Sequence, residues 1–287
     1  MIGLVAATLS FAACSNPKHF NEDDAKYDPS LSKAMNLALL TGLTTRAGPL
    51  QDNKPVQITK KHGGSKVSSF VMLGAQTSGA LFNGGMGIGA SVGLSRFAML
   101  SGSPSYNPIF FIHHFAWMPT NMARNEDVAT DKMTQILFQA MKAAVPSEGK
   151  VLSISPPEKV KLFQSEQAFS IKFIYQEKKY VLNGDVSAPE KVAMAPDGSP
   201  SESWYWLYRS TGFEHRNAMI TMTIRVKEGH HDRAPDGDVE QELRRHISSL
   251  LPSWVYTYIP PNDENKQHPY FLNQGKVLSF SQPIAPQ

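Results

Sequence analysis

The sequence predicts an α+β fold: a mainly antiparallel sheet with two amphipathic helices and a glycine-rich, uncharged segment. Three observations carry this reading. Short runs with alternating apolar residues recur through the carboxy-terminal half, and two longer stretches space their apolar residues by three and four. The order is strands, helix, several strands, helix, then strands, which does not repeat as the strand–helix–strand unit of a parallel sheet would. The chain has 287 residues, of which 41% are hydrophobic and 18% charged, so there is enough apolar material for a core. A mean hydropathy of -0.29 excludes a polytopic membrane protein but leaves room for an anchor or one embedded segment.

The first element is not part of the fold. Residues 1–13, MIGLVAATLSFAA, carry no charge and are mostly apolar or small. They are too few for a membrane-spanning helix, which needs about 20 residues, but they match the hydrophobic part of an export signal. Cys14, the only cysteine, follows at once, and a single thiol excludes an intrachain disulfide and an all-thiolate metal site. Residues 15–33 are polar with several charges and read as a solvated tether. The FAAC junction resembles a bacterial lipoprotein signal, a likeness confined to residues 1–16, with Phe11 where that motif usually has Leu. The resemblance implies cleavage before Cys14, diacylglycerol on its thiol and acylation of the new amino terminus. Ser15 stands where an inner-membrane lipoprotein would carry Asp, which implies the outer membrane, facing the periplasm. The covalent lipid is then the only non-protein group expected.

Residues 34–155 form the second region, which holds the glycine-rich segment and the first helix. Between Lys66 and Arg124 the only charged residue is Arg96. Gly85, Gly89 and Gly93 recur every fourth residue. On a helix they would make one small-residue face for close packing on a neighbouring subunit, a candidate interface. Asn83-Gly84-Gly85 is equally a turn signal, and Met86, Ile88, Ala90 and Val92 alternate as on a strand, so loop, strand, helix and membrane contact all stay open. Gly85, Gly87 and Gly89 give G-x-G-x-G, which is not the spacing of a dinucleotide fingerprint, and no phosphate-binding loop motif occurs. Residues 106–118, YNPIFFIHHFAWM, read as an apolar strand in which His113 and His114 point to opposite faces and so do not share one metal ion. Residues 127–145 put Met133, Ile136, Leu137, Ala140, Met141 and Ala144 on one stripe, with Asp127 or Thr130 as cap and Pro146 as stop.

Pro156-Pro157 reads as a turn or linker, and residues 156–287 as a strand-rich carboxy-terminal domain. Phe169, Ile171, Phe173 and Tyr175 alternate before QEKK, and Tyr180–Leu182 returns as a hairpin partner. Residues 204–208 and 220–226 alternate in the same way; 254–259 and 277–280 add two more strands. The second helix spans 238–251, with Val239, Leu243, Ile247 and Leu250 inward and Arg244 and Arg245 towards its carboxy end, as the helix dipole favours. Trp204, Trp206 and Tyr208 are a candidate recognition surface, although aromatics on both faces of a strand also describe a strand packed on both sides.

No nucleophile elbow, zinc-binding spacing or activated-cysteine setting is present; the pair Glu166 and Glu190 has nothing to bring it together, and His230, His231 and Asp232 sit in a loop-like segment. No catalytic residue, metal or diffusible cofactor is expected. A net charge of +3, from 28 basic and 25 acidic residues, gives no footprint for nucleic acid. The expectation is a structural or assembly component of the cell envelope, in a secretion or conjugation complex at the outer membrane, with protein partners or further copies of itself. The alternatives are a ligand-binding lipoprotein facing the periplasm and, behind it, an envelope hydrolase.

Overall fold

The computed structural model describes residues 27–44, 50–54, 109, 112–160, 166–193, 195–206, 219–227, 237–262 and 267–281. Among these residues three helices, α1 (Lys33–Leu40), α2 (Glu126–Ala143) and α3 (Gly237–Leu250), accompany ten strands. In chain order these are β1 (His113–Pro119), β2 (Lys150–Lys159), β3 (Gln167–Tyr175), β4 (Lys178–Val186), β5 (Glu190–Val192), β6 (Ser203–Trp206), β7 (Ile220–Lys227), β8 (Val255–Ile259), β9 (Tyr270–Asn273) and β10 (Lys276–Ser279). A short 3-10 turn, Thr120–Met122, follows β1. All ten strands join one sheet in the order β10-β9-β8-β1-β7-β4-β3-β2, with β6 beside β1 and β5 beside β6. Every strand pairing in it is antiparallel.

The fold is therefore a mixed α+β one built on a large antiparallel sheet. β1 is its centre. Its residues 113–116 pair with β8, while on the other edge residues 116–119 pair with β6 and His114 pairs with Ile220 at the start of β7. Strand alternation then sorts the side chains into two cores. Ala116, Met118, Phe169, Ile171, Phe173, Leu182, Met222 and Ile224 pack with α2 and α3 on one face. On the other, Phe115, Trp117, Tyr205, Tyr256, Tyr258 and Phe271 pack with α1. Both hairpins with two-residue turns hold both turn residues at positive φ, Gln176-Glu177 (48° and 64°) and Gln274-Gly275 (49° and 72°), as the right-handed twist of paired strands requires.

Several local expectations change. Asn125 caps α2 by accepting the Val128 N–H at 2.9 Å; neither Asp127 nor Thr130 does, and the Thr130 hydroxyl instead donates to the Glu126 carbonyl at 2.8 Å. On α3 Leu250 is exposed rather than inward, and it is Leu251, just past the end of the helix, that packs on the core. Pro156 and Pro157 are not a linker. They lie inside β2, where the register against β3 shifts between Ser155 and Glu158, the bulged setting in which an edge strand tolerates proline. Strands from both sides of residue 156 belong to the same sheet.

The last residues of the expected tether are packed. Ser32 caps α1, accepting the Met35 N–H at 3.0 Å, and itself bonds Asp52. Asn36, fully buried, accepts the Asp28 N–H at 2.7 Å and donates back to the Asp28 carbonyl at 2.8 Å. Gly198, with φ of +78°, lies so close to Tyr27 that a β-carbon there would come within 2.3 Å of it. α1 itself has no counterpart in the sequence reading: from Ala34 to Leu40 every residue is buried, so no polar face marks it as amphipathic. No helix among the described residues is long and apolar enough to cross a membrane.

Candidate functional site

Two adjacent histidines of the central strand β1 are buried, and polar groups from three strands meet at the second of them. Alternation sends their rings to opposite sides of the sheet. His113 faces the α1 side, stacked on Tyr258 at 6.4 Å and beside Phe115 at 6.0 Å. His114 faces α3. Its Nδ1 is 3.0 Å from the Thr257 hydroxyl on β8 and its Nε2 is 3.4 Å from the Met222 carbonyl on β7. A carbonyl only accepts, so Nε2 carries the proton and Nδ1 accepts from Thr257.

α3 supplies the charged half of the cluster. Arg244 is only 7% exposed, next to Leu243 and three residues before Ile247, both core residues. Its guanidinium bonds Glu240 one turn earlier, with Nε at 3.0 Å from Oε1, while Nη1 is buried without a hydrogen-bond partner. Burial, followed by the nearby Arg244 charge, pulls the His114 pKa from 6.5 to about 3, against the opposing effect of the Met222 carbonyl. The ring is therefore neutral throughout the physiological range.

A hydroxyl donating to a neutral histidine is the first part of a nucleophile–base pair, but substrate has to reach it. Thr257 is buried, as are both histidines. What this arrangement does is join β1, β7 and β8 through one side chain at the point where β1 and β7 share a single residue pair. It is a structural bridge. Among the described residues, no group of three His, Cys, Asp or Glu is placed to hold a metal ion.

Of the candidate recognition surface, Trp204 and Trp206 are described and neither is exposed. Trp206 is fully buried in the α2-side core, its indole N–H donating to the Ser187 carbonyl at 2.8 Å, which removes it from any such surface. Trp204 is half-buried and donates to the Ala123 carbonyl at 2.9 Å. Tyr205 between them packs on the opposite core, its hydroxyl donating to the Leu40 carbonyl at 3.1 Å. Alternation in the sequence already allowed this placement, because a strand apolar on both faces is a strand covered on both faces. Glu166 is buried just ahead of β3 and Glu190 lies on β5. Cys14, Ser15, Gly85, Gly89, Gly93, Tyr208, His230, His231 and Asp232 lie outside the described residues.

Buried Arg244 and half-buried Glu240 are a pair that the sequence reading, which placed Arg244 only with respect to the helix dipole, did not single out. The signal was present: Leu243, Arg244, Ile247 and Leu251 have the spacing of one helix face, and a Glu four residues before the Arg supplies its partner. Compared with protein-family models, with curated proteins and with solved structures, the chain gives no match.

Proposed function

We propose that the chain is a lipoprotein of the bacterial cell envelope, held at the periplasmic face of the outer membrane by lipid on Cys14, and that it acts as a structural or assembly component. The observation that carries this reading is the position of the sole cysteine: thirteen uncharged apolar or small residues precede Cys14 and a polar stretch follows. Exposed apolar residues at both ends of the sheet, Val151, Leu152 and Ile154 on β2 and Val277 on β10, support an assembling role over a purely solvated one. The buried state of Thr257 and His114 favours neither catalysis nor ligand capture at that cluster. The finer features of the fold belong to the same proposal: α2 and α3 as amphipathic helices closing one face of the sheet, and Gly85, Gly89 and Gly93 as a close-packing contact between subunits.

One preparation tests it. Protein extracted in mild detergent from the envelope of a Gram-negative host is measured for intact mass and for complex size. The expected species begins at Cys14, carries the mass of its acyl chains and migrates in a complex, and Cys14→Ser releases a soluble periplasmic form. A mature chain that retains residues 1–13, or one without the lipid increment, sinks the anchor. A lipidated chain that is strictly monomeric and co-isolates with nothing sinks the assembly role alone.

A further inference from the structure

Among the described residues β2 is the last strand on its side of the sheet. Three large apolar side chains on it are exposed: Val151 by 47%, Leu152 by 42% and Ile154 by 39%. Val151 and Ile154 lie opposite Phe173 and Ile171 of β3, hence on the side of the sheet that carries α2. Lys150 and Glu158 lie opposite Ile174 and Ala168, on the other side. The two register shifts of β2 fall between Val151 and Ser153 and between Ser155 and Glu158. Ser153-Ile154-Ser155 is the regular stretch between them, and Ile154 is its middle.

We propose that β2 pairs antiparallel with the β2 of a second copy of this chain, about a two-fold axis through Ile154, so that the two sheets run on as one. An antiparallel two-fold pair brings together residues equally far before and after the axis, and keeps each on its own side of the sheet. Lys150 of each copy, four residues before Ile154, then faces Glu158 of the other, four residues after it, and both are on the side away from α2. The charges complement each other twice. A parallel pairing would set Lys150 against Lys150 and Glu158 against Glu158, which is repulsive. Ile154 meets its own copy, and Val151 is covered by the partner strand.

The prolines select this occupant. Pro156 and Pro157 offer no N–H, and a bulged edge fits a flat strand poorly, so β2 is blunted against indiscriminate pairing. A second β2 is irregular at the matching places, so that each shift at Leu152 meets one at Pro156-Pro157. The contact is one strand wide, which makes the dimer weak and concentration-dependent. The proposal rests on this strand and its charges, and not on the lipid anchor.

The test uses the full chain carrying Cys14→Ser, so that neither lipid nor the native thiol contributes. Ile154→Cys in this background is expected to give a disulfide-linked dimer under mild oxidation. Across an antiparallel pair the Cα atoms are about 4.5–5.5 Å apart, inside the range that a disulfide spans. Val277→Cys, exposed on the opposite edge at β10, is the control and is expected to stay monomeric. In sedimentation equilibrium, Lys150→Glu is expected to raise the dimer Kd about tenfold, and Lys150→Glu with Glu158→Lys to restore it. Circular dichroism establishes that each variant is folded. A chain monomeric at every concentration, an Ile154→Cys variant that crosslinks no more than Val277→Cys, or a charge swap that restores nothing would each overturn the pairing.

Discussion

A buried imidazole that stays neutral makes stability depend on acidity in a definite direction. Unfolded, His114 takes up its proton near 6.5; folded, only at about 3. Between those values the unfolded chain binds the extra proton, so its share of folding stability is fully present above pH 6.5 and is lost as pH falls towards 3. The slope is about 1.4 kcal/mol per pH unit over that window. Urea unfolding of the wild type and of His114→Asn at a series of pH values isolates this contribution. The variant is expected to be less stable at neutral pH, because Thr257 and Met222 lose the ring that joins them, and less sensitive to acid. Equal acid slopes in the two proteins would mean that His114 is not held neutral by the fold. The ring is held between the Thr257 hydroxyl and the Met222 carbonyl, with the Arg244 charge nearby.

At the scale of an element, β3 and β4 turn on one glycine. Gly184 lies directly opposite Phe169, whose ring covers it so closely that a β-carbon at 184 would come within 2.1 Å of the ring. The ring is buried there and meets Phe138 of α2 edge to face, with centroids 5.2 Å apart, so it cannot swing clear without opening the contact between helix and sheet. Gly184→Ala is expected to cost about 2 kcal/mol through this overpacking, and Gly184→Ala with Phe169→Leu less than the sum of the two changes. Chemical denaturation of the three variants measures both. Additive losses would show that the glycine matters only through backbone entropy. Features of this kind were only half legible. The alternation at Phe169–Tyr175, Ile220–Val226 and in the carboxy-terminal runs located most strands, because one face of each meets a helix and period two survives. The stripe from Met133 to Met141 located α2 in the same way. α1 was illegible because it is buried nearly all round, Asn36 included, and the Pro-Pro pair misled because proline signals a turn unless the strand is a bulged edge. At Gln176-Glu177 the hairpin was visible in the flanking alternation, although neither residue is the glycine or asparagine that such a turn favours.

For the whole molecule the question is whether it can be divided at residue 156. β2 crosses that point, and β1, from the amino-terminal side, is the strand that joins β8, β9 and β10 to β7, β4, β3 and β2. Without β1 the carboxy-terminal segment loses Phe115 and Trp117 from one core and Ala116 and Met118 from the other. It also loses α1, which packs on the aromatic group of β1, β6, β8 and β9. Three sets of strands would remain, β7-β4-β3, β8-β9-β10 and β5-β6, each with a bare edge where β1 had been. Residues 156–287 produced alone are therefore expected to show no cooperative thermal transition and little near-ultraviolet dichroism from Trp204, Trp206 and Trp254. Adding residues 1–155 as a separate chain is expected to recover part of both, since the missing strand is then available to pair. If residues 156–287 instead melt cooperatively by themselves, with the native signal of Trp204, Trp206 and Trp254, then β1 is an addition to a domain already complete, and the remaining strands and α3 hold together without their central strand.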